Sequence, residues 1–439
     1  MGSIAARQPI FYGWWVVAVA TVGVLFGYSG FVSTVFGLFV LSLEGEFGWS
    51  RTSISFAATL ATGLVVVLSP LVGALVDRFG VRRVLLPSLF LFGLAIGALS
   101  VQTGALWQLY ALFVLIGSAG VGTTPLVFGR LIVNWFDRQR GLALGITLAG
   151  VGLAGIVLPP LIQPLIAMVG WRATYLALSS VILLFAWPTA FLFLRDTPTE
   201  KGLLPDGDPP SAPGGTQRVS ASIEGLSLHA VLRTRHFWQM VAAFLPLGMV
   251  SVGIITHLAP LLANRGFEVS QVSLLLAVNG GALIVGRVLC GVLIDRFFGP
   301  YVAAAFILCQ AAGLALLAAS DAFAISALGI FLLGMGFGAE FDVMAYLISR
   351  YLGLVAYGKV YGLMYSAFSV GAAVGPIAMG WSYDVLGSYS PALGIFAVAP
   401  VFAALLLVTL GRYRWGVTQV LARRPEGPVS PETASATEG

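Results

Sequence analysis

The sequence predicts an all-α membrane protein whose twelve transmembrane helices form two six-helix, pseudo-symmetric bundles. Hydrophobic residues make up 58% of the 439 residues and charged residues only 9%, whereas soluble domains carry roughly 25% charged residues. Apolar runs long enough to cross a bilayer recur along the chain. A motif at the end of the second run also returns at the end of the eighth, which indicates two related halves.

The twelve apolar runs are separated by turn residues and charges, which set their bounds to within a few residues. The 54 glycines of the chain suit close packing of helices in lipid. The predicted spans are 12–42, 51–76, 83–102, 105–134, 140–169, 172–194, 236–264, 270–295, 300–320, 323–350, 359–385 and 390–411.

These runs predict four regions. An N-terminal six-helix bundle occupies 1–195 and a C-terminal one occupies 236–412. The segment 196–235 between them is rich in Pro, Gly, Ser and charge and cannot bury a core, so we expect a flexible linker with a short surface helix near 226–232. Residues 413–439 are expected to form a disordered tail.

The distribution of Lys and Arg predicts the orientation. With the amino terminus in the cytoplasm, only Arg51, Arg172 and Arg265 fall on the outer side, which is a strong positive-inside bias. Both termini, the linker and the tail are then cytoplasmic. This topology accounts for the net charge of +5, so the basic balance gives no reason to expect nucleic-acid binding. The arginine-rich composition and short loops favour a bacterial inner membrane.

Several classes of function are disfavoured by what the sequence lacks. The two cysteines, Cys290 and Cys309, both fall inside apolar runs, so no disulfide or metal framework is expected. No phosphate-binding loop, metal-ligand cluster or nucleophile constellation is recognisable. We therefore expect a protein that is not an enzyme and that has no catalytic residue, metal or cofactor.

Arg287 lies near the middle of the eighth run, about 13 Å from its polar end at 1.5 Å per residue. A charge at that depth is costly unless it meets a partner, a water-filled cavity or a ligand. Its planar, permanently charged guanidinium matches a carboxylate. We expect Arg287 to face a central cavity and bind an anionic substrate. The alternative is a permanent salt bridge to an acid on a neighbouring helix.

Two acids, Glu340 and Asp342, lie at a similar depth in the tenth run. Residues two positions apart on a helix point about 200° apart, so both cannot face one cavity. We expect Asp342 to be the partner of Arg287 and Glu340 to carry a proton. The alternative is that both acids are structural.

Four further residues are candidates for the substrate pathway. His257 could also carry the proton, since an imidazole can hold or pass one, and Pro260 just after it predicts a break in that helix. Tyr28 lies among glycines and hydroxyls that could open the first run. Asn279 is two turns above Arg287 on its side of the helix. Tyr365 could close over the substrate.

A repeated motif predicts a gate. The sequence GALVDRFGVRR at Gly73–Arg83 recurs as GVLIDR at Gly291–Arg296, 218 residues later. Its charges lie at helix ends, where they can pair between the bundles when the cytoplasmic side is closed. Arg130, about one turn from the cytoplasmic end of the fourth run, is expected to join them. The predicted gating residues are Asp77, Arg78, Arg82, Arg83, Asp295, Arg296 and Arg130.

The first copy of this motif resembles the signature loop of the major facilitator superfamily. The sequence WFDRQRGLALGITLAG at Trp135–Gly150 is similar to the fifth-span signature of its monocarboxylate porter branch, which includes monocarboxylate transporters and oxalate–formate antiporters. In that branch an arginine of the eighth span binds the substrate carboxylate, with a glycine four residues later, which here are Arg287 and Gly291. This chain departs from the branch at Leu283, where an acid is expected, and by having no lysine in the first run.

The resemblance implies a secondary transporter that carries a small monocarboxylate such as lactate or pyruvate with a proton by alternating access and acts as a monomer in the lipid bilayer. An organic-anion exchanger remains open, since two anions competing for Arg287 need no proton carrier. A proton-coupled exporter of hydrophobic cations or drugs, with Glu340 and Asp342 as the cation site, also remains open, as does a sensor on the same fold.

Overall fold

Helices account for nearly all of the described chain, as the sequence predicts. The computed structural model describes residues 11–207 and 225–414. Within these ranges, eleven helical segments are long and apolar enough to cross a membrane. The prediction of an all-α membrane protein is confirmed.

One of these segments, Arg140–Phe193, contains two spans. It has 54 residues, and a straight helix of that length would measure about 80 Å, more than twice the thickness of the hydrocarbon layer. At its middle, Gly170 has φ 81° and ψ 164°, close to the conformation with which Gly80 separates two other helices. The chain also returns to its starting level, because the Trp135 indole donates to the carbonyl of Arg195 at 2.8 Å. The chain therefore reverses at Gly170, which gives the twelve spans predicted.

We number these spans in chain order. They are α1 (Tyr12–Leu25), α2 (Arg51–Phe79), α3 (Val81–Ala98), α4 (Leu106–Trp135), α5 (140–169), α6 (171–193), α7 (Arg235–Asn264), α8 (Val269–Arg296), α9 (Gly299–Ala319), α10 (Phe323–Tyr351), α11 (Tyr357–Leu386) and α12 (Ser390–Val408).

The sequence predicts two helix breaks, and one of them is present. The regular helix of the first span ends at Leu25, and the backbone is extended at Gly27. Short helical turns then lead to a further helix, Val40–Phe47. The break expected at Pro260 is absent, because α7 continues through it. A proline inside a helix removes one backbone hydrogen bond, and the packing of α7 against α11 and α12 can offset that loss.

The first six and the last six spans meet where α2 contacts α11 and α5 contacts α8. Both contacts use glycine pairs. A Cβ added to Gly73 would clash with the carbonyl of Gly358, and one added to Gly141 would lie 2.5 Å from the carbonyl oxygen of Gly291. The backbones approach this closely near the end of the molecule that carries Asp77, Arg130, Arg140, Asp295 and Arg350, which we call the arginine-rich end.

The opposite end of the molecule is open between the two halves. On one face of α2, the polar residues Ser55, Thr59 and Thr62 are exposed. This stripe ends near Val66, whose carbonyl accepts a 2.6 Å hydrogen bond from the hydroxyl of Ser366 in α11. The halves are therefore in contact at the arginine-rich end and separate beyond the level of Val66 and Ser366.

The connection between the halves is more ordered than we expected. Asp206 accepts hydrogen bonds from the backbone N–H groups of residues 137–139, and Leu226 donates to the carbonyl of Leu352 at 3.0 Å. The expected surface helix is present at Leu228–Leu232. The prediction of flexibility was wrong for these parts, because their backbone and carboxylate groups bond to loops of the bundle. Residues 208–224, and 415–439 of the tail, lie outside the described residues.

Candidate functional site

Glycines of two neighbouring helices fix the position of Arg287. A Cβ added to Gly145 of α5 would lie 2.7 Å from the carbonyl oxygen of Arg287, and one added to Gly338 of α10 would lie 3.0 Å from its backbone nitrogen. Both glycines thus let a helix approach the backbone of α8 at this residue. Arg287 is 3% exposed and lies where the two halves of the molecule meet.

Asp342 lies beside Arg287, as the sequence predicts. Its Oδ1 is 3.8 Å from Nη1 of Arg287, and the side chain of Asp342 is 3% exposed. This separation is too long for a hydrogen bond. Among the residues that the structure describes, Nε and Nη1 of Arg287 and both carboxylate oxygens of Asp342 have no hydrogen-bond partner. The pair neutralises its charges but leaves four polar atoms available to a ligand.

Glu340 points to a different side of α10. Its Oε1 accepts hydrogen bonds from the hydroxyl of Ser251 in α7 at 2.5 Å and from the amide of Gln310 in α9 at 2.7 Å. The oxygen Oε1 of Gln310 is buried and has no partner in the described chain. The expectation that Glu340 and Asp342 face different surroundings agrees with this geometry. Ser251 and Gln310 were not predicted as site residues.

A tyrosine hydroxyl completes the set of unpartnered polar atoms around Arg287. Tyr361 of α11 is fully buried and lies within electrostatic range of Asp342 and Arg287. Its hydroxyl has no hydrogen-bond partner within the described ranges. The Tyr361 ring also lies 3.7 Å from where a Cβ at Gly129 of α4 would be. Tyr361 therefore packs beside α4, where the two halves are in contact.

The structure places two of the other candidate residues near the open side. The hydroxyl of Tyr28 hydrogen-bonds that of Thr62 at 3.1 Å, and Thr62 belongs to the exposed polar stripe of α2. Tyr365 is partly exposed, and its ring lies 5.7 Å from that of Phe341. Both side chains are thus near the level at which the halves begin to separate.

Asn279 and His257 are held by their own half of the molecule. Asn279 is buried, and its Oδ1 would lie 3.1 Å from a Cβ at Gly334 of α10. The His257 ring nitrogens are 3.3 Å from the Tyr389 hydroxyl and 3.1 Å from the Pro376 carbonyl oxygen. Neither residue shares a described hydrogen bond with Arg287 or Asp342.

The two motif aspartates join the halves by capping helices rather than by pairing with arginines of the motif. Asp77 accepts hydrogen bonds from the backbone N–H groups of Gly358 and Lys359 at 2.9 and 3.0 Å. Asp295 accepts from those of Gly141 and Leu142 at 2.7 and 2.8 Å. A carboxylate at a helix N-terminus is stabilised by the unpaired N–H groups and the helix dipole. The two contacts repeat the pseudo-symmetry of the motif.

Buried arginines reinforce this closed end. Arg350 donates to Oδ1 of Asp137 at 2.8 Å, and Arg140 lies 3.2 Å from the same oxygen. Burial alone would raise the pKa of Asp137, but the guanidinium groups of Arg140 and Arg350 outweigh it and hold the pKa below its usual value. Arg130 donates to the carbonyl of Leu354 at 2.7 Å and lies 3.9 Å from Asp77. Asp137, Arg140 and Arg350 were not among the predicted gating residues.

The remaining arginines of the motif have other surroundings. Arg82 donates to the carbonyl of Phe191 and, through its backbone, to Asp196, both at 2.7 Å. These partners belong to the first half and to the start of the linker. Arg78 lies over the neighbouring Phe79 ring. The structure gives no described contact between the halves for Arg78, Arg82, Arg83 or Arg296.

Comparison with known proteins decides the family. Residues 17–376 match the Major Facilitator Superfamily. The chain belongs to this superfamily. It is therefore a secondary transporter and a multi-pass membrane protein rather than an enzyme, as the sequence predicts. Within 11–207 and 225–414 no group of three or more His, Cys, Asp and Glu side chains could hold a metal ion.

Relatives and solved structures of the superfamily agree with this assignment. The chain is 26% identical to monocarboxylate transporter 13 of Bos taurus over 92% of this chain and 90% of the relative. It is 26% identical to the probable sulfoacetate transporter SauU of Cupriavidus necator over 83% and 88% of the two chains. The fold is similar to that of the E. coli fucose:proton symporter FucP, with a TM-score of 0.65 at 17% identity over 90% of this chain and 98% of that one.

Proposed function

We propose that this protein carries a small monocarboxylate, such as lactate or pyruvate, together with a proton by alternating access. The observation that carries the proposal is the buried Arg287, whose Nε and Nη1 atoms have no hydrogen-bond partner in the described chain. A guanidinium fork binds a carboxylate through two parallel hydrogen bonds. The relatives named as monocarboxylate and sulfoacetate transporters support a small organic anion as cargo.

Asp342 balances the charge of Arg287 in the absence of cargo. An uncompensated arginine in this buried site would be strongly unfavourable, and the carboxylate at 3.8 Å provides the opposite charge. Because the pair makes no hydrogen bond, little is lost when an arriving carboxylate takes the free N–H groups. Arg287 is thus the anion-binding group and Asp342 its resident counter-ion.

The proton carrier in this proposal is Glu340. The carboxylate form accepts from Ser251 and Gln310. A protonated carboxyl gains a donor, and the unpartnered Oε1 of Gln310 is an acceptor on the same amide. A carboxylic acid and a carboxamide can form two hydrogen bonds at once, so Gln310 suits both protonation states. One proton on Glu340 and one anion on Arg287 leave the net charge of the buried site unchanged.

The helix caps and ion pairs of the arginine-rich end provide the switch between states. Each carboxylate-to-helix contact contributes about 0.3–1 kcal/mol, and more where it is partly buried. Several such contacts suit an equilibrium between states of similar energy. We propose that 1–195 and 236–412 move as two bodies around the site in a single chain. We also propose that the arginine-rich end and both termini face the cytoplasm of a cell with this protein in its inner membrane.

Uptake by proteoliposomes tests the proposal. We expect radiolabelled lactate to accumulate when an inward proton gradient is imposed, and we expect Arg287→Ala to abolish this uptake. Arg265→Ala is the matched control, because Arg265 pairs with Asp321 at the open end and away from the site. Uptake that depends only on a preloaded counter-anion would identify an exchanger. Loss of cation resistance in Glu340→Gln, with no uptake of any acid, would favour an exporter of hydrophobic cations.

A further inference from the structure

The Asp342 carboxylate restricts which cargo the site can bind more than Arg287 alone does. Both oxygens of Asp342 are buried without a hydrogen-bond donor among the described residues. They lie next to the guanidinium that, in the proposed function, binds the carboxylate of the substrate. An ionised carboxylate only accepts hydrogen bonds. A bound anion with no donor group would leave these acceptors unsatisfied.

We infer that the site selects 2-hydroxy acids over 2-oxo acids, an inference that rests on the proposed function. In a 2-hydroxy acid, the carboxylate binds Arg287 while the adjacent hydroxyl donates to Asp342. In a 2-oxo acid, the oxygen at the same position is an acceptor, so it would face another acceptor. A buried polar group that loses its partner carries its full desolvation cost. The preference therefore comes from an unmatched acceptor rather than from size.

This selectivity requires Asp342 to stay ionised when cargo binds, and the arrangement of charges supports that. Arg287 is permanently charged and lies 3.8 Å from Asp342, whereas Glu340 is bonded to Ser251 and Gln310 on another side of α10. The transported proton goes to Glu340, and Asp342 remains an acceptor. The ammonium group of an amino acid could also donate to Asp342. An amino acid is a zwitterion, however, and has no net charge for the proton on Glu340 to balance.

The Tyr361 hydroxyl is the third polar group that the cargo meets. It is buried and without a partner in the described chain, and a phenol can both donate and accept. It can accept from or donate to the hydroxyl or carboxylate of the cargo, so it does not oppose either class. The discrimination between hydroxy and oxo acids is therefore assigned to Asp342.

Competition experiments in proteoliposomes test the inference. Uptake of labelled lactate is measured against unlabelled lactate, pyruvate, propionate and alanine at equal concentration. These compounds have the same carbon skeleton and differ in the group at carbon 2. We expect lactate to compete at least about 10-fold better than pyruvate or propionate, since sites built to bond a hydroxyl reject analogues that lack it. Equal competition by lactate and pyruvate would overturn the inference, and stronger competition by alanine would assign the site to amino acids.

Two variants separate this inference from the proposed function. Asp342→Asn offers N–H donors as well as an acceptor, so we expect the ratio of lactate to pyruvate affinity to fall towards one. Asp321→Asn, at an exposed carboxylate of the open end, should leave the ratio unchanged. If both acids are transported equally and Arg287→Ala abolishes both, the selectivity fails while the proposed function stands. If no acid is transported, both fail.

Discussion

In the ion pair between Arg287 and Asp342, each charge offsets the cost of burying the other. The pair contributes no stability beyond that. Desolvation of two buried charges often exceeds their attraction, and this pair gains no hydrogen bond in return because its atoms are 3.8 Å apart. A pair with this geometry contributes little as a structural clamp. In the proposed function, it keeps Arg287 charged while Nε and Nη1 have no hydrogen-bond partner in the described chain.

A double-mutant cycle on this pair should show strong coupling. Removing one partner of a buried ion pair costs about 3–5 kcal/mol, so we expect Arg287→Ala and Asp342→Ala each to lower the free energy of unfolding by that order. The double variant should lose much less than the sum. Denaturant unfolding of the purified protein in detergent provides the measurement. The same cycle on Arg265 and the largely exposed Asp321 should give about 0–1 kcal/mol, and additive losses at the central pair would contradict the account.

Gln310 should be required for proton coupling rather than for anion binding. Gln310→Leu removes both the donor to Glu340 and the acceptor for its protonated form. We expect gradient-driven accumulation of lactate to fall at least about 10-fold, while exchange of labelled for unlabelled lactate across the membrane persists. Gln239→Leu is the control, because Gln239 is also buried in the second half but bonds to Leu406 and Thr409. A loss of exchange and accumulation in equal measure would contradict this role.

The sequence predicts one part of the site better than the other. The pairing of Arg287 with Asp342, and the separation of Asp342 from Glu340, follow from depth and helical spacing. The partners of Glu340 do not, since Ser251 and Gln310 come from helices whose rotation is set by packing. The targets of Asp77 and Asp295 were also missed, because backbone N–H groups carry no sequence signal.

At the scale of helices, the glycine crossings determine how closely the halves approach. Gly73 and Gly358 meet backbone to backbone, and Asp77 can reach the start of α11 only because they do. The glycines were predicted to serve close packing, but which pairs touch depends on how the two halves dock. The twelve spans and the break at Gly27 were readable from the sequence. The continuation of α7 through Pro260 was not, since it depends on packing against neighbouring helices.

Adding a methyl group at a crossing should disturb the closed end. Gly73→Ala places a Cβ against the carbonyl of Gly358, so we expect the halves to separate at this crossing. Because transport passes through the closed state, we expect the rate of lactate uptake to fall at least about 10-fold. Gly63→Ala in the same helix meets nothing within 4 Å. It should leave transport unchanged and raise stability by up to about 1 kcal/mol, as expected when alanine replaces glycine in a helix. Equal effects of the two substitutions on uptake would contradict the assignment of this crossing.

At the scale of the whole molecule, two pseudo-symmetric sets of contacts close the arginine-rich end. Asp77 caps α11 while Asp295 caps α5, and Arg130 and Arg350 each bond to a loop of the other half. The linker adds to this arrangement, since Asp206 bonds to the loop that contains Asp137. The composition of the linker predicts flexibility and did not reveal these hydrogen bonds. Each bond needs only a single carboxylate or carbonyl group and no buried core.

Removing one of these contacts should shift the molecule towards opening at the arginine-rich end. We expect Asp295→Asn to weaken the cap on α5 and lengthen the mean distance between spin labels at Gln139 and Val355, two exposed positions on opposite halves. Both native cysteines are replaced in the background. Asp384→Asn, at the open end, should leave the distance distribution unchanged. A distribution insensitive to Asp295→Asn would mean that the cap does not hold the halves together.

The most direct test of the central claim is the proton stoichiometry of transport. A pH-sensitive dye inside proteoliposomes reports protons that enter with lactate when no pH gradient is imposed. The account predicts internal acidification with one proton per lactate, lost in Arg287→Ala, with Glu340→Gln retaining exchange but losing acidification. Lactate entry without acidification, or acidification that survives Arg287→Ala, would contradict it.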